Sequence, residues 1–405
     1  VRSLIEKYTG KLLRDRSAFP GRIGFAANED RMVEGGTPEL SRLAADVLSR
    51  LSCLGMLAAA PTLPFPEHLT RRAPGDDTAL LPLDTETRTF LHDIPFLRKD
   101  DLGQDPAAKI AALLSKRKGV VAEGIGIVAS GPVTLEQAYI HYSSVFHACC
   151  VKYLLDVLQE GFRLPGEAEA FRAFREEYVQ APSAERLSFR PGPIEDREEV
   201  LAEVRAVGRY TVERGLVDSF FGNISYRVGD TVYISQTAAS LDELAGCIDP
   251  VPMDNRSTTG ITASSELLAH RRIYEATGAR AILHGHPKFA VVMSMLCDVK
   301  DCPVKDCWKE CTRVRMLGDT PIVAGEIGAG GLAIRVPPVI GGPGKAIVYG
   351  HGVFAIGRDG FEEAFRSMVD VENRCREEYF RRLDARARGD NSRCSSAPEG
   401  RSCGC

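Results

Sequence analysis

GHGVFAIGRDGFEEAF, residues 350–365, has a counterpart in GIGIVASGPVTLEQAY, residues 124–139. The two align without a gap at a shift of 226 residues, the distance from Gly124 to Gly350. The same shift sets DTPI (319–322) on DIPF (93–96) and LHGHP (283–287) on LAAAP (57–61). Chance could give any one of these matches. One shift shared by all three is the mark of an internal duplication, in which one fold is used twice.

The two copies are not chemically equal. His284 aligns with Ala58, His286 with Ala60 and His351 with Ile125. The expectation is a degenerate first domain over 1–185 that keeps the packing pattern without metal ligands. A metal-binding domain over 195–388 and a disordered, cysteine-containing tail over 389–405 complete the division. QAPSAERLSFRPGPIED, 180–196, carries three prolines and a glycine and marks the boundary.

Within the second copy the periodicity alternates. Val200, Val204, Val207 and Thr211 make one helical stripe. DTVYISQ alternates as a strand, ARAILHG reads as a buried strand, and KAIVYGHGVFAIG reads as two strands around a turn. SSELLAHRRIYEATG reads as a helix that starts at its serines. FEEAFRSMVDVENRCREEYFRRL is a long helix with Phe361, Phe365, Met368, Cys375 and Tyr379 on its inner face. The fold class is therefore α/β, two tandem layered domains, each around a mostly antiparallel or mixed sheet.

Composition excludes several functions. The 405 residues are 44% hydrophobic and 26% charged, with a net charge of −4. That balance offers no electrostatic footprint for nucleic acid. No apolar run is long enough for a bilayer and the first residues are not a signal peptide, so the expectation is a cytoplasmic protein with no membrane partner.

AILHGHPKF, 281–289, carries the chemistry. Alternation along a strand puts His284 and His286 on one face, with Gly285 removing bulk between them. Such a pair also reads as a polar turn. Read as ligands, two neutral imidazoles share a zinc-sized cation and want a third donor. His351 is the candidate, since it too sits at a strand end between glycines. Glu266 in ASSEL is the nearby carboxylate, and its plain alternative is helix capping. His270, on the same helix, reads as an ordinary surface or core residue. The serines before Glu266 at a helix start form a ready phosphate seat. Asn223 in FGNISYR reads otherwise as part of a plain turn before a strand.

GNIS, SSE, HGHP and GHGVFAIG…FEEAF, in that order, resemble the class II aldolase/adducin superfamily over about 195–385. The superfamily includes fuculose- and rhamnulose-phosphate aldolases, ribulose-phosphate 4-epimerases, methylthioribulose-phosphate dehydratase and the non-enzymatic adducin head. The resemblance implies that His284, His286 and His351 hold a divalent metal, usually zinc, with manganese or another divalent ion as the variant. It implies that Glu266 is the catalytic acid/base and that Asn223, Thr237, Ser264 and Ser265 bind the substrate phosphate. Two positions depart from the pattern. Ala238 stands where the aldolases have glycine, and Phe220 where they have a phosphate-binding threonine.

A metal on the carbonyl and hydroxyl oxygens of a ketose acts as a Lewis acid and stabilises an enediolate, while a carboxylate moves the proton. The implied function is a lyase performing aldol cleavage of a small hydroxy-carbonyl or sugar phosphate. An epimerase or dehydratase is the alternative within the superfamily, and an adducin-like scaffold is the alternative outside enzymes. Family enzymes form fourfold rings, so a duplicated chain would form a homo-oligomer, a dimer mimicking that ring.

CDVKDCPVKDCWKEC puts Cys297, Cys302, Cys307 and Cys311 within fifteen residues. Four thiols on one loop suit a second zinc or an iron–sulfur cluster, though the spacing lacks the paired CxxC form. Reduced thiols, or a disulfide, are the alternatives.

Overall fold

The computed structural model describes residues 1–218, 220–254, 256, 262–299, 302–325 and 329–388. The chain divides into two units, Val1–Gln180 and Ala181–Cys405. The tail cysteines Cys394, Cys403 and Cys405 lie outside the described residues.

The first unit holds strands β1 (Ile23–Asn28), β2 (Met32–Gly36), β3 (Gly55–Ala59), β4 (Ala79–Leu80), β5 (Ile94–Leu97), β6 (Gly119–Ala122) and β7 (Gly126–Gly131). They form one sheet in the order β2-β1-β3-β7-β6-β5-β4. The second unit holds β8 (Asn223–Val228), β9 (Thr231–Ser235), β10 (Ile248–Pro252), β11 (Ala281–Gly285), β12 (Arg315–Leu317), β13 (Thr320–Val323), β14 (Lys345–Val348) and β15 (Gly352–Gly357). Their order is β10-β9-β8-β11-β15-β14-β13-β12. Remove β10 and the two orders are the same. Both sheets are mixed: β5 and β6 pair in parallel, as do β13 and β14, and the other pairs are antiparallel.

The register repeats as well as the order. Gly55 pairs with Gly131 and Ala58 with Val128 in the first sheet. Ala281 pairs with Gly357 and His284 with Phe354 in the second, the same partners at the 226-residue shift. The central strands β3 and β11 are buried along their whole length, as strands covered on both faces must be.

One face of each sheet carries a long helix, Leu135–Glu160 in the first unit and Phe361–Ala387 in the second. Phe361, Phe365, Met368, Cys375 and Tyr379 are all buried on the latter, the stripe expected from its spacing. The other face is closed by Pro38–Leu48 in the first unit and Leu267–Thr277 in the second. The apolar core of the second unit lies under that helix, where Ala269, Ile273, Ile282, Ala346 and Phe354 meet.

The shift of 226 does not extend to the first strands. In the first unit the single residue Thr37 joins β2 to its helix. In the second, residues 236–266 fill that place and contain β10. The helix expected from the serines begins instead at Leu267, with Glu266 at its N-cap making no side-chain cap bond.

Candidate metal centre

β11 ends at the middle of its sheet, and the β14–β15 turn ends beside it. His284 stands in β11 opposite Asn223 of β8 and Phe354 of β15. Its ring stacks on Phe354 at 4.0 Å between centroids. Its Nδ1 lies 3.0 Å from the Val353 carbonyl, so that nitrogen carries the proton and Nε2 presents a lone pair. His286 follows one residue past the strand, and its ring is stacked by Phe221 at 5.5 Å. His351 comes from the turn, which is anchored where the Gly350 N–H donates to Ser294 Oγ at 2.8 Å.

These pieces bring His284 Nε2 to 2.9 Å from His286 Nε2 and 3.1 Å from His351 Nε2. All three ligand nitrogens lie within 4.8 Å of one another and all three residues are buried. Three such nitrogens facing one another cannot each carry a proton. Zinc ligands at about 2.0–2.1 Å in a tetrahedron stand about 3.3 Å apart, close to the spacing found. The residues present therefore fit a divalent cation. Burial pushes the His284 imidazole down to about 4, against the raising pull of Glu266. It is neutral at neutral pH, as a ligand must be.

Glu266 completes the cluster. Its Oε1 lies 3.1 Å from His351 Nε2 and its Oε2 3.4 Å from His284 Nε2. The capping alternative for this residue fails, since its carboxylate faces the imidazoles. Burial alone would push its carboxyl up. His284, His351 and the Asn223 amide outweigh burial and hold it well below the usual carboxylate range.

The other expected site residues separate into two groups. Asn223 donates from Nδ2 to Glu266 Oε2 at 2.8 Å, and its Oδ1 accepts from His270 Nε2. Ser264 is buried, and its Oγ accepts from the Glu266 N–H at 3.3 Å. Ser265 and Thr237 are exposed. The Thr237 hydroxyl donates to the Ala263 carbonyl at 3.0 Å, so that loop lies along the segment leading to Glu266. Ala238 sits at φ 59°, the left-handed region that glycine adopts freely. The loop thus keeps a glycine's backbone without the glycine.

Cys297, Cys302, Cys307 and Cys311 are free thiols. Among the described residues, no three of their sulfurs lie within 4.8 Å of one another, although burial and then Cys311, Cys297 and Cys302 all push the Cys307 thiol up, so the four stand near one another without the spacing of a bound metal. None of the described residues from Cys297 to Val314 is buried, so no local core draws the loop together.

Two residues of the site escaped the sequence reading. His270 lies one helical turn beyond Glu266 on the same face, a spacing that could have revealed it. Glu372, on the long helix, accepts from the Phe289 and Ala290 N–H groups at 3.1 and 2.9 Å. It caps the helix Lys288–Ser294 that follows the HGHP segment.

Residues 202–379 match the family model described as Class II Aldolase and Adducin N-terminal domain. Over that segment, less than half of the chain, the sequence is similar to class II aldolase/adducin domains. A methylthioribulose-1-phosphate dehydratase from Granulibacter bethesdensis is 28% identical over 169 residues, 38% of this chain and 79% of that protein. A probable bifunctional methylthioribose-1-phosphate isomerase/methylthioribulose-1-phosphate dehydratase from Nocardia farcinica is 31% identical over 98 residues, 23% of this chain. That match spans only 18% of the Nocardia protein. Among solved structures, the L-fuculose-1-phosphate aldolase from Thermus thermophilus is 26% identical, with 47% of this chain and 98% of that one covered and a TM-score of 0.39.

Proposed function

We propose that the second unit is a metal-dependent lyase acting on a small hydroxylated carbonyl compound, with aldol cleavage as its reaction. The observation that carries this reading is the convergence of three buried imidazole nitrogens with one ionised carboxylate. A divalent cation held by His284, His286 and His351 would supply Lewis acidity, which stabilises negative charge on the oxygens of a ketose. Zinc suits the all-nitrogen donor set.

The chain's own residues do the rest. Glu266 is ionised and aimed at the point where the imidazoles converge, so it can accept a proton from a substrate carbon or hydroxyl and return it. Ser264, Ser265 and Thr237 are the residues for an anionic end of the substrate. Asn223 has both ends of its amide engaged inside the protein, so in this reading it orients Glu266 rather than binding phosphate. Phe221, stacked on His286, forms an apolar wall and keeps water from one side of the site.

Dehydration is the second reading, and the Granulibacter relative favours it. Both reactions use the same proton transfer and differ in the bond that breaks next. Two chains would bring four copies of the fold together, the count of a fourfold ring. A monomeric mass in solution with full activity would remove that assembly. The function itself is tested by incubating zinc-loaded protein with ketose 1-phosphates, L-fuculose 1-phosphate and methylthioribulose 1-phosphate included. Products are followed by mass spectrometry. Turnover that disappears in Glu266→Gln supports the lyase; equal turnover in wild type and His284→Ala sinks it.

A further inference from the structure

A chain of hydrogen bonds runs away from Glu266 into the core, and the donors can be assigned one by one. Asn223 Oδ1 can only accept, so His270 Nε2 carries a proton toward it. The neutral imidazole then has a bare Nδ1, and Ser225 Oγ, 2.6 Å away, donates to it. With its proton spent there, Ser225 accepts from the Tyr274 hydroxyl at 2.7 Å, the nearer of that hydroxyl's two acceptors, the Arg280 carbonyl standing at 3.3 Å. Every bond therefore points the same way, from Tyr274 through Ser225, His270 and Asn223 to the Glu266 carboxylate. The Glu266 carboxylate can only accept, so it independently requires the NH2 end of the Asn223 amide to face it.

The first unit supplies a control inside the same chain. Asn223 pairs with His284, and the residue pairing with Ala58 at the matching place is Gly24. Ser225 pairs with Ile282, and Ala26 pairs with the matching Met56. The helices Pro38–Leu48 and Leu267–Thr277 each have eleven residues. Aligned end to end, they set Thr37, Ser41 and Ala45 against Glu266, His270 and Tyr274. A Cβ on Gly24 would meet the backbone of Leu40 and Ser41 at 2.3 Å, so the helix there lies directly on the strand. The fold thus crosses helix over strand with small residues and no polar chain. In the second unit the helix stands farther from the strand, and Asn223, Ser225, His270 and Tyr274 are buried beside Glu266. Burying polar groups costs free energy that the first unit's packing avoids. The packing of the fold does not call for the chain, whereas the carboxylate does.

We propose that His270 is a positioning residue, which holds the Asn223 amide in the orientation that aims Glu266 at the three imidazoles. The inference rests on the lyase reading for the purpose of Glu266, but the hydrogen-bond relay can be read without any metal.

The test uses the full chain labelled with 15N on asparagine. The Asn223 side-chain amide is identified by its loss in Asn223→Ala and recorded in metal-free protein. Wild type and His270→Gln, which keeps a donor near the Nε2 position, should show the same shifted, slowly exchanging NH2 pair. His270→Leu should lose it while keeping a cooperative thermal transition. If His270→Leu does not fold, Ser225→Ala serves: it frees Nδ1 and should weaken the same signal. With cobalt(II) as the probe, the visible spectrum of His270→Leu should move in the direction of Glu266→Gln, and metal affinity should fall about 10–100-fold, as for loss of an outer partner. His270→Gln should restore both. An Asn223 signal and a cobalt spectrum unchanged in a folded His270→Leu protein overturn the proposal. A wild type that takes up no cobalt but shows the relay in its Asn223 signal sinks the lyase reading and leaves the relay standing.

Discussion

His286 lies beyond the end of β11, outside the strand's pairing, with Phe221 on its ring and His284 at 2.9 Å. His286→Ala should therefore lower zinc affinity without unfolding the chain. The fall should exceed about 100-fold, beyond the range for outer partners. Elemental analysis after dialysis against zinc checks it, and undiminished zinc in the variant would remove His286 from the ligand set. Glu372 makes a different prediction. Burial pushes its carboxyl up to about 7, although two N–H groups and the charges of Lys288 and Arg376 pull the other way. Between its ordinary 4.5 and about 7 the folded protein holds a proton that the unfolded chain has released. Stability from this group is thus fully present below that window and is lost as pH rises through it. Glu372→Gln should flatten the fall of the thermal midpoint between these pH values, and an unchanged slope would place the titration elsewhere.

Strand β15 couples fold and site more tightly than any single ligand. A Cβ on Gly352 would meet the Gly285 carbonyl at 2.4 Å, His284 Cε1 at 2.9 Å and His286 Cδ2 at 3.0 Å. Gly352→Ala should cost about 1–3 kcal/mol by overpacking. It should also abolish zinc retention, because both rings must shift. Thermal melts beside zinc titrations test the pair, and a variant that melts lower yet binds zinc normally would separate the two effects. Much at this scale was legible in the sequence. The strands around 281–285 and 352–357, the stripe from Phe361 to Tyr379 and the 226-residue offset all follow from alternation and periodicity. What escaped depends on packing across elements. Residues 236–266 break the offset, and nothing local to the helix start tells that Glu266 turns inward to His351. His270 reads as an ordinary surface or core residue; it is core, and its partner Asn223 is 47 residues away in sequence.

At the scale of the whole chain, one fold appears twice and, among the described residues, the imidazole cluster once. Zinc should then stabilise the second unit alone. At one hundred times its dissociation constant a ligand adds about 2.7 kcal/mol. Calorimetry of the full chain with and without a chelator should show one transition moved and one fixed. Both moving together would mean that the two units unfold as one. No described helix is long and apolar enough to cross a membrane.

The close seat of the first unit's helix on Gly24 also sets a direction on how such a chain can change. Placing imidazoles there, as Ala58→His, Ala60→His and Ile125→His together, sets rings on the right register but opposite a closely packed crossing. Ala58 is fully buried, and beside it Gly24 admits no asparagine to aim a carboxylate. The triple variant should melt well below wild type and take up no second zinc; one extra zinc per chain at an unchanged midpoint would refute this. A working site there would require the helix to lift, the strand glycine to be replaced and Thr37 to become acidic, with no gain until the last step. In this domain close packing occupies the space a site would need, so the barrier to one is packing and not the missing ligands alone.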